Sequence, residues 1–196
     1  MTDFEMHRRA IDHMADLIAG VPADSWAEPT PCTEFTVRDL VDHLVGWVHI
    51  FEAATWETDA PRDPDHYLVS EGHAAAFRRA GHAAVEGLAD RGLDRQLLMV
   101  KARIPASMIR DMMAMEYPGH GWDLAVATGQ SYPFEDDIVE AALEAAPRTI
   151  SPEYRGHGEG QFRPVVATSP DAGIVERYVA FLGRDPAWRP PSRAVS

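Results

Sequence analysis

Cysteine is all but missing from this chain: Cys32 is the only one. A single thiol rules out a disulfide framework and any cysteine-built zinc site, so a bound metal must rely on nitrogen and oxygen donors. Lysine is just as scarce, with Lys101 alone against many arginines, which reads as the codon bias of a GC-rich genome. Positive charge is short overall: 18 basic residues face 31 acidic ones, for a formal net charge of −13. Nucleic acid and anionic membrane surfaces both select clustered positive charge, so neither is expected as a partner. No apolar run approaches the roughly 20 residues of a membrane span. The stretch Met1 to Glu5 lacks the basic and apolar regions of a signal peptide. The expected address is the cytoplasm.

What remains is ordinary for a globular protein, with 45% hydrophobic and 25% charged residues. A length of 196 residues predicts one domain over 1–196, with 190–196 as a frayed, proline-rich tail.

Apolar periodicity organises the chain. Met6, Ala10, Met14, Leu17 and Ile18 form a helical stripe over Phe4 to Gly20. Pro29 and Pro31 make the next stretch an extended loop. Thr36 and Asp39 then spell a capping box, with Phe35 and Leu40 placed as a hydrophobic staple, for a helix running to about Trp56. Residues 57–64 read as a loop and His66 to Ala89 as a third helix, followed by Gly92. Leu97 to Arg103 reads as a short strand or an extended connector. A fourth helix starts at Pro105 and reaches Ala127, with Gly129 beyond its end. A fifth covers Asp136 to Ala146 and is broken by Pro147; residues 148–170 look irregular, and Asp171 to Leu182 is the last helix. The predicted class is all-α: a four-helix bundle with short additional helices.

The chemistry concentrates in Glu116-Tyr117-Pro118-Gly119-His120-Gly121-Trp122-Asp123. On a helix, Glu116, His120 and Asp123 fall on one stripe at i, i+4 and i+7. A carboxylate and an imidazole one turn apart can grip a divalent ion, and His43 on the second helix is the best placed third donor. Each feature also has a plainer reading. A lone buried histidine is more often a hydrogen-bonded core residue, and an i, i+4 carboxylate–imidazole pair often only stabilises its helix. Pro118 removes one helical hydrogen bond, to residue 114, which predicts a kink or a π-bulge between the two donors.

The segments from Pro29 to Gly46 and from His120 to Gln130, and the ending Phe181-Leu182-Gly183-Arg184-Asp185-Pro186-Ala187-Trp188, resemble the DinB/YfiT-like metal-binding four-helix bundles. They are most similar to the branch related to the metal-binding domain of mycothiol-dependent maleylpyruvate isomerase. That resemblance implies a divalent metal, usually zinc or nickel, ligated by His43, Glu116 and His120. Asp123 matches a recurring position of the motif and is expected to support a ligating histidine rather than bind the ion. The same two-histidine, one-carboxylate set also suits ferrous iron.

Three donors leave a coordination position open, the layout of a catalytic site. By the resemblance, the chain is expected to be a metal-dependent transferase or isomerase using a low-molecular-weight thiol, such as mycothiol or bacillithiol, on a small metabolite. The alternatives are a non-catalytic metal- or small-ligand-binding accessory or stress-response protein, and a plain helical scaffold. Bundles of this kind often pair as homodimers, although no exposed apolar stripe marks the face here. Elsewhere, Cys32 reads as an inert, half-buried thiol. Trp47, Trp56, Trp122 and Tyr117 read as core or as pocket lining. His49, His66, His73, His82 and His157 read mostly as surface residues. Arg78, Arg79, Arg148, Arg155 and Arg163 read as solvated ion pairs, with an anion clamp as the alternative.

Overall fold

The computed structural model describes residues 4–59, 72–156, 158 and 162–191. Helix α1 spans Glu5–Ala19 and buries Ile11, Met14, Ala15 and Ile18 along one face. Helix α2, Val37–Trp56, begins as the sequence predicts. The Thr36 hydroxyl accepts from the Asp39 amide at 3.3 Å, and the Asp39 carboxylate accepts from the Thr36 amide at 3.0 Å. The two bonds satisfy donors that a helix start would leave unpaired.

Helix α3 covers His73–Arg91; the predicted start at His66 and loop positions 60–64 lie outside the described residues. Its small residues let α1 approach closely. A Cβ on Gly81 would sit 2.9 Å from a methyl of Ile11. The ambiguous stretch after α3 is a hairpin: β1, Gln96–Met99, pairs antiparallel with β2, Ala102–Pro105.

Helix α4, Ala106–Thr128, carries the predicted donors and ends at Gly129 in a left-handed conformation, φ 70°. It continues as α-helix through Pro118, with neither a break nor a π-turn. Two tyrosines serve the backbone around that residue. The Tyr132 hydroxyl donates to the Pro118 carbonyl at 3.1 Å, and the Tyr178 hydroxyl donates to the Met115 carbonyl. Gly119 leaves room for this: a Cβ there would lie 2.7 Å from Leu182 Cδ1 and 3.1 Å from the Tyr178 hydroxyl. The Pro-Gly pair is thus the seat of a neighbouring helix rather than a fault in α4.

Helix α5, Asp136–Thr149, runs one turn further than expected because Pro147 falls in its last turn. There the ring costs a single backbone bond, to Leu143, instead of interrupting a long ladder. The segment that follows holds a 3₁₀ turn at Pro152–Tyr154 and a bridge between Arg155 and Phe162. Helix α6 is Ile174–Phe181, shorter at its start than predicted, because the Gly173 amide donates to Glu176 and fixes the first turn there.

The described part is therefore mostly helical, six helices and one two-stranded ribbon. Helix α2 packs on α3 and α4, α1 on α3 and α4, and α5 bridges α4 and α6. Leu40, Leu44, Phe51, Phe77, Leu88, Ile109, Tyr117 and Tyr178 fill the core between them. Among the described residues, no helix is long and apolar enough to cross a membrane.

Candidate metal centre

Helices α2 and α4 meet where the sequence places its donors. One ligand-type atom each from His43, Glu116 and His120 lies within 4.8 Å of the other two. His120 Nε2 is 3.0 Å from Glu116 Oε2, so the one-turn spacing survives the intervening Pro118. The His43 and His120 rings stand edge to face, 5.4 Å apart. Phe35, just before α2, packs with its ring centroid 4.9 Å from that of His43.

Asp123 lies where a supporting residue is needed. Its Oδ2 is 3.0 Å from His120 Nδ1, and its side chain is fully buried. Sequence reading had not singled out its second partner. Arg184, from the segment after α6, places Nη2 2.9 Å from Asp123 Oδ2 and Nε 3.3 Å from Oδ1. The available signal was its place in the Phe181–Trp188 ending that carries the family resemblance; in the structure Gly183, at φ 84°, turns the chain just before it.

These charges settle one another's protonation. Burial opposes ionisation of Asp123, yet the Arg184 guanidinium and the His120 bond hold its carboxyl below the usual range. Burial would also make His120 less basic, but hydrogen bonds to Asp123 and Glu116 win and raise it to about 9. Nδ1 thus faces Asp123 and Nε2 faces Glu116, each at 3.0 Å, and an ion ligated at Nε2 would displace any proton held there. Glu116, likewise penalised by burial, is held low chiefly by its bond from His120.

A cavity of about 270 Å³ opens beside the donors. His43, Glu116 and His120 form one wall; Phe35, Trp47, Met112 and Phe162 are its apolar surface, and Arg163 contributes a cation. The loop before α2 shapes another wall. The Thr30 hydroxyl reaches the carbonyls of Cys32 and Phe35 at 3.0 and 2.9 Å, which folds residues 30–35 tightly and turns Cys32 toward the cavity. Burial pushes the Cys32 thiol up to about 12, so it is neutral and poorly nucleophilic at neutral pH.

Most of the other residues weighed on sequence fall away from the centre, Trp47 and Arg163 excepted. Trp122 and Tyr117 belong to the core, while Trp56 is 39% exposed and donates to the Ala83 carbonyl; only Trp47 of the four aromatics lines the cavity. His73 pairs with Asp42, His82 with Asp12, and His49 bonds the Val45 carbonyl. His66 and His157 lie outside the described residues. Arg78 pairs with Asp12 and Asp16, Arg79 with Glu52, and Arg148 with Asp111. Arg155 lies over the Phe181 ring, which leaves Arg163 as the one residue of that group at the cavity.

The donor set fits a divalent ion on its chemistry: two imidazoles, one carboxylate, and a buried acceptor orienting one imidazole. No solved structure matches the chain. Two relatives, the uncharacterized proteins MT0763 and Rv0738 from the CDC 1551 / Oshkosh and ATCC 25618 / H37Rv strains of Mycobacterium tuberculosis, are each 32% identical over 181 residues. The alignment covers 91% of this chain and 95% of each relative. Residues 7–125, which include all three clustered donors and Asp123, match the family described as the mycothiol maleylpyruvate isomerase N-terminal domain. The chain belongs to that DinB-like family.

Proposed function

We propose that His43, Glu116 and His120 hold one divalent ion, zinc first and nickel or iron as alternatives, and that the protein is a metal-dependent thiol transferase or isomerase acting on a small metabolite. The observation that carries this reading is the convergence of the three donors within 4.8 Å on the wall of a cavity. In fold terms, α1 to α4 serve as the four-helix bundle that sets α2 against α4.

An ion there would supply Lewis acidity, lowering the pKa of a bound thiol or water. The chain's own residues provide the rest. Asp123 fixes the orientation of His120, leaving Nε2 to face Glu116. Glu116 offers a charge that burial alone would not favour and that a cation offsets. Phe35, Trp47, Met112 and Phe162 give an apolar body something to pack against. Arg163 can meet an anionic group on the substrate. Pockets for drug-sized ligands run to about 300–1,000 Å³. At about 270 Å³ the cavity suits a small metabolite or the reactive end of a larger thiol. The family description supports a mycothiol-type thiol as co-substrate.

The test is a calorimetric titration of metal-loaded protein with mycothiol and, separately, bacillithiol. Saturable binding that is lost on removing the metal supports the transferase or isomerase reading. Metal retention without thiol binding leaves the non-catalytic accessory protein instead.

A further inference from the structure

We infer that Arg184 is the positioning residue of the metal centre, acting through Asp123 to fix the ring of His120. For its consequence on metal affinity, this rests on the site proposed above. Arg184 is 8% exposed, and its guanidinium is committed on two sides. Nε and Nη2 grip the two oxygens of Asp123, while Nη1 donates to the Leu182 carbonyl at 3.0 Å.

The segment carrying it is built onto the donor turn of α4. Tyr178 bonds the Met115 carbonyl, and Leu182 lies against Gly119, so α6 docks beside Glu116 and His120. The chain then reverses at Gly183, which packs on the Arg163 carbonyl, and the Arg184 amide donates to Val179 at 3.0 Å. Residues 178–184 thus brace the centre, with Gly183 and Arg184 also lining the cavity, although the family match ends at 125.

The chemistry explains why arginine stands here. A fully buried carboxylate with a single histidine partner would be poorly compensated, whereas a planar fork satisfies both oxygens and fixes the plane of the group. A fixed carboxylate plane fixes the Nδ1–H direction of His120, and with it the direction of Nε2. Lysine would restore the charge but not the plane. Partners of this kind contribute about 10–100-fold to metal affinity.

The test uses the full chain and two readouts. The first is the His120 Nδ1–H proton resonance in metal-free protein; the second is zinc affinity measured by competition with a chromophoric chelator. In Arg184→Gln the resonance should be lost to solvent exchange and zinc should bind about 10–100-fold more weakly. In an Asp123→Asn background the same substitution should add no further loss, because both act through one bond network. Should Arg184→Gln fail to fold, Arg184→Lys carries the test, with an affinity loss at an unchanged melting temperature. An Arg184 variant that folds and keeps both the resonance and wild-type affinity overturns the inference. So does a loss of affinity that is equally large in the Asp123→Asn background. If the wild type binds no zinc, the metal reading fails, while the resonance still decides whether Arg184 positions His120.

Discussion

The Nδ1 atom of His120 lies 3.0 Å from Oδ2 of Asp123, three residues further along α4. That spacing puts the supporting carboxylate behind the imidazole and the Glu116 carboxylate in front of it. His120 is therefore held on both sides, and its free choice of tautomer and ring angle is removed.

Replacing Asp123 should show how much depends on that arrangement. Asp123→Asn leaves Arg184 buried without a counter-charge, and breaking such a pair costs about 3–5 kcal/mol. Urea unfolding should show a loss of that size. Zinc affinity should fall about 10–100-fold, as for other residues that orient a ligating histidine. Wild-type affinity in a folded variant would remove Asp123 from the centre.

Gly183 offers a backbone test of the same region. Its φ of 84° favours glycine, and a Cβ there would lie 2.6 Å from the Arg163 carbonyl oxygen. Gly183→Ala should destabilise the protein by about 1–3 kcal/mol, read from the denaturant midpoint. An unchanged midpoint would mean the turn relaxes freely.

A third prediction concerns acid stability, away from the metal centre. Asp111 on α4 is buried and accepts from Arg110 at 2.7 Å and from Arg148 of α5 at 2.7 Å. Burial opposes its ionisation, but the bonds from Arg148 and Arg110 prevail and depress its pKa. A carboxyl depressed on folding stabilises above its unfolded value, about 3.9, and that contribution is lost as pH falls through the folded value. The stability gap between wild type and Asp111→Asn should be flat near neutral pH, about 1–3 kcal/mol, and should close in acid. A gap that widens on acidification would contradict the assignment.

The start of α2 gives a local control. Thr36→Ala removes one arm of the capping box and should cost about 1 kcal/mol, without changing metal content unless Phe35 is displaced from His43.

Much of this was legible in the sequence because it rests on local rules. The Thr36–Asp39 cap, the apolar stripe of α1 and the Glu116–His120–Asp123 spacing each follow from neighbours a few residues apart. Two prolines leave their helices continuous for different reasons. Pro147 falls so near the end of α5 that it breaks almost nothing. Pro118 lies mid-helix, but the groups that settle the backbone around it, Tyr132 and Tyr178, come from 14 and 63 residues away from the carbonyls they bond. Arg184 was missed because its partner is 61 residues distant, and no periodicity links a residue after α6 to one on α4. The convergence of His43 with the α4 donors is likewise tertiary, so α2 itself yields a histidine on a helix and nothing more.

The most direct measurement is metal content, by inductively coupled plasma mass spectrometry, of untagged wild-type protein beside His43→Ala after identical metal loading and dialysis. His43 comes from α2 and the other two donors from α4, so its removal separates a three-residue site from a simple pair on one helix. The account predicts one divalent ion per wild-type chain and a large loss in the variant at unchanged helicity. Equal metal content in the two proteins would contradict it.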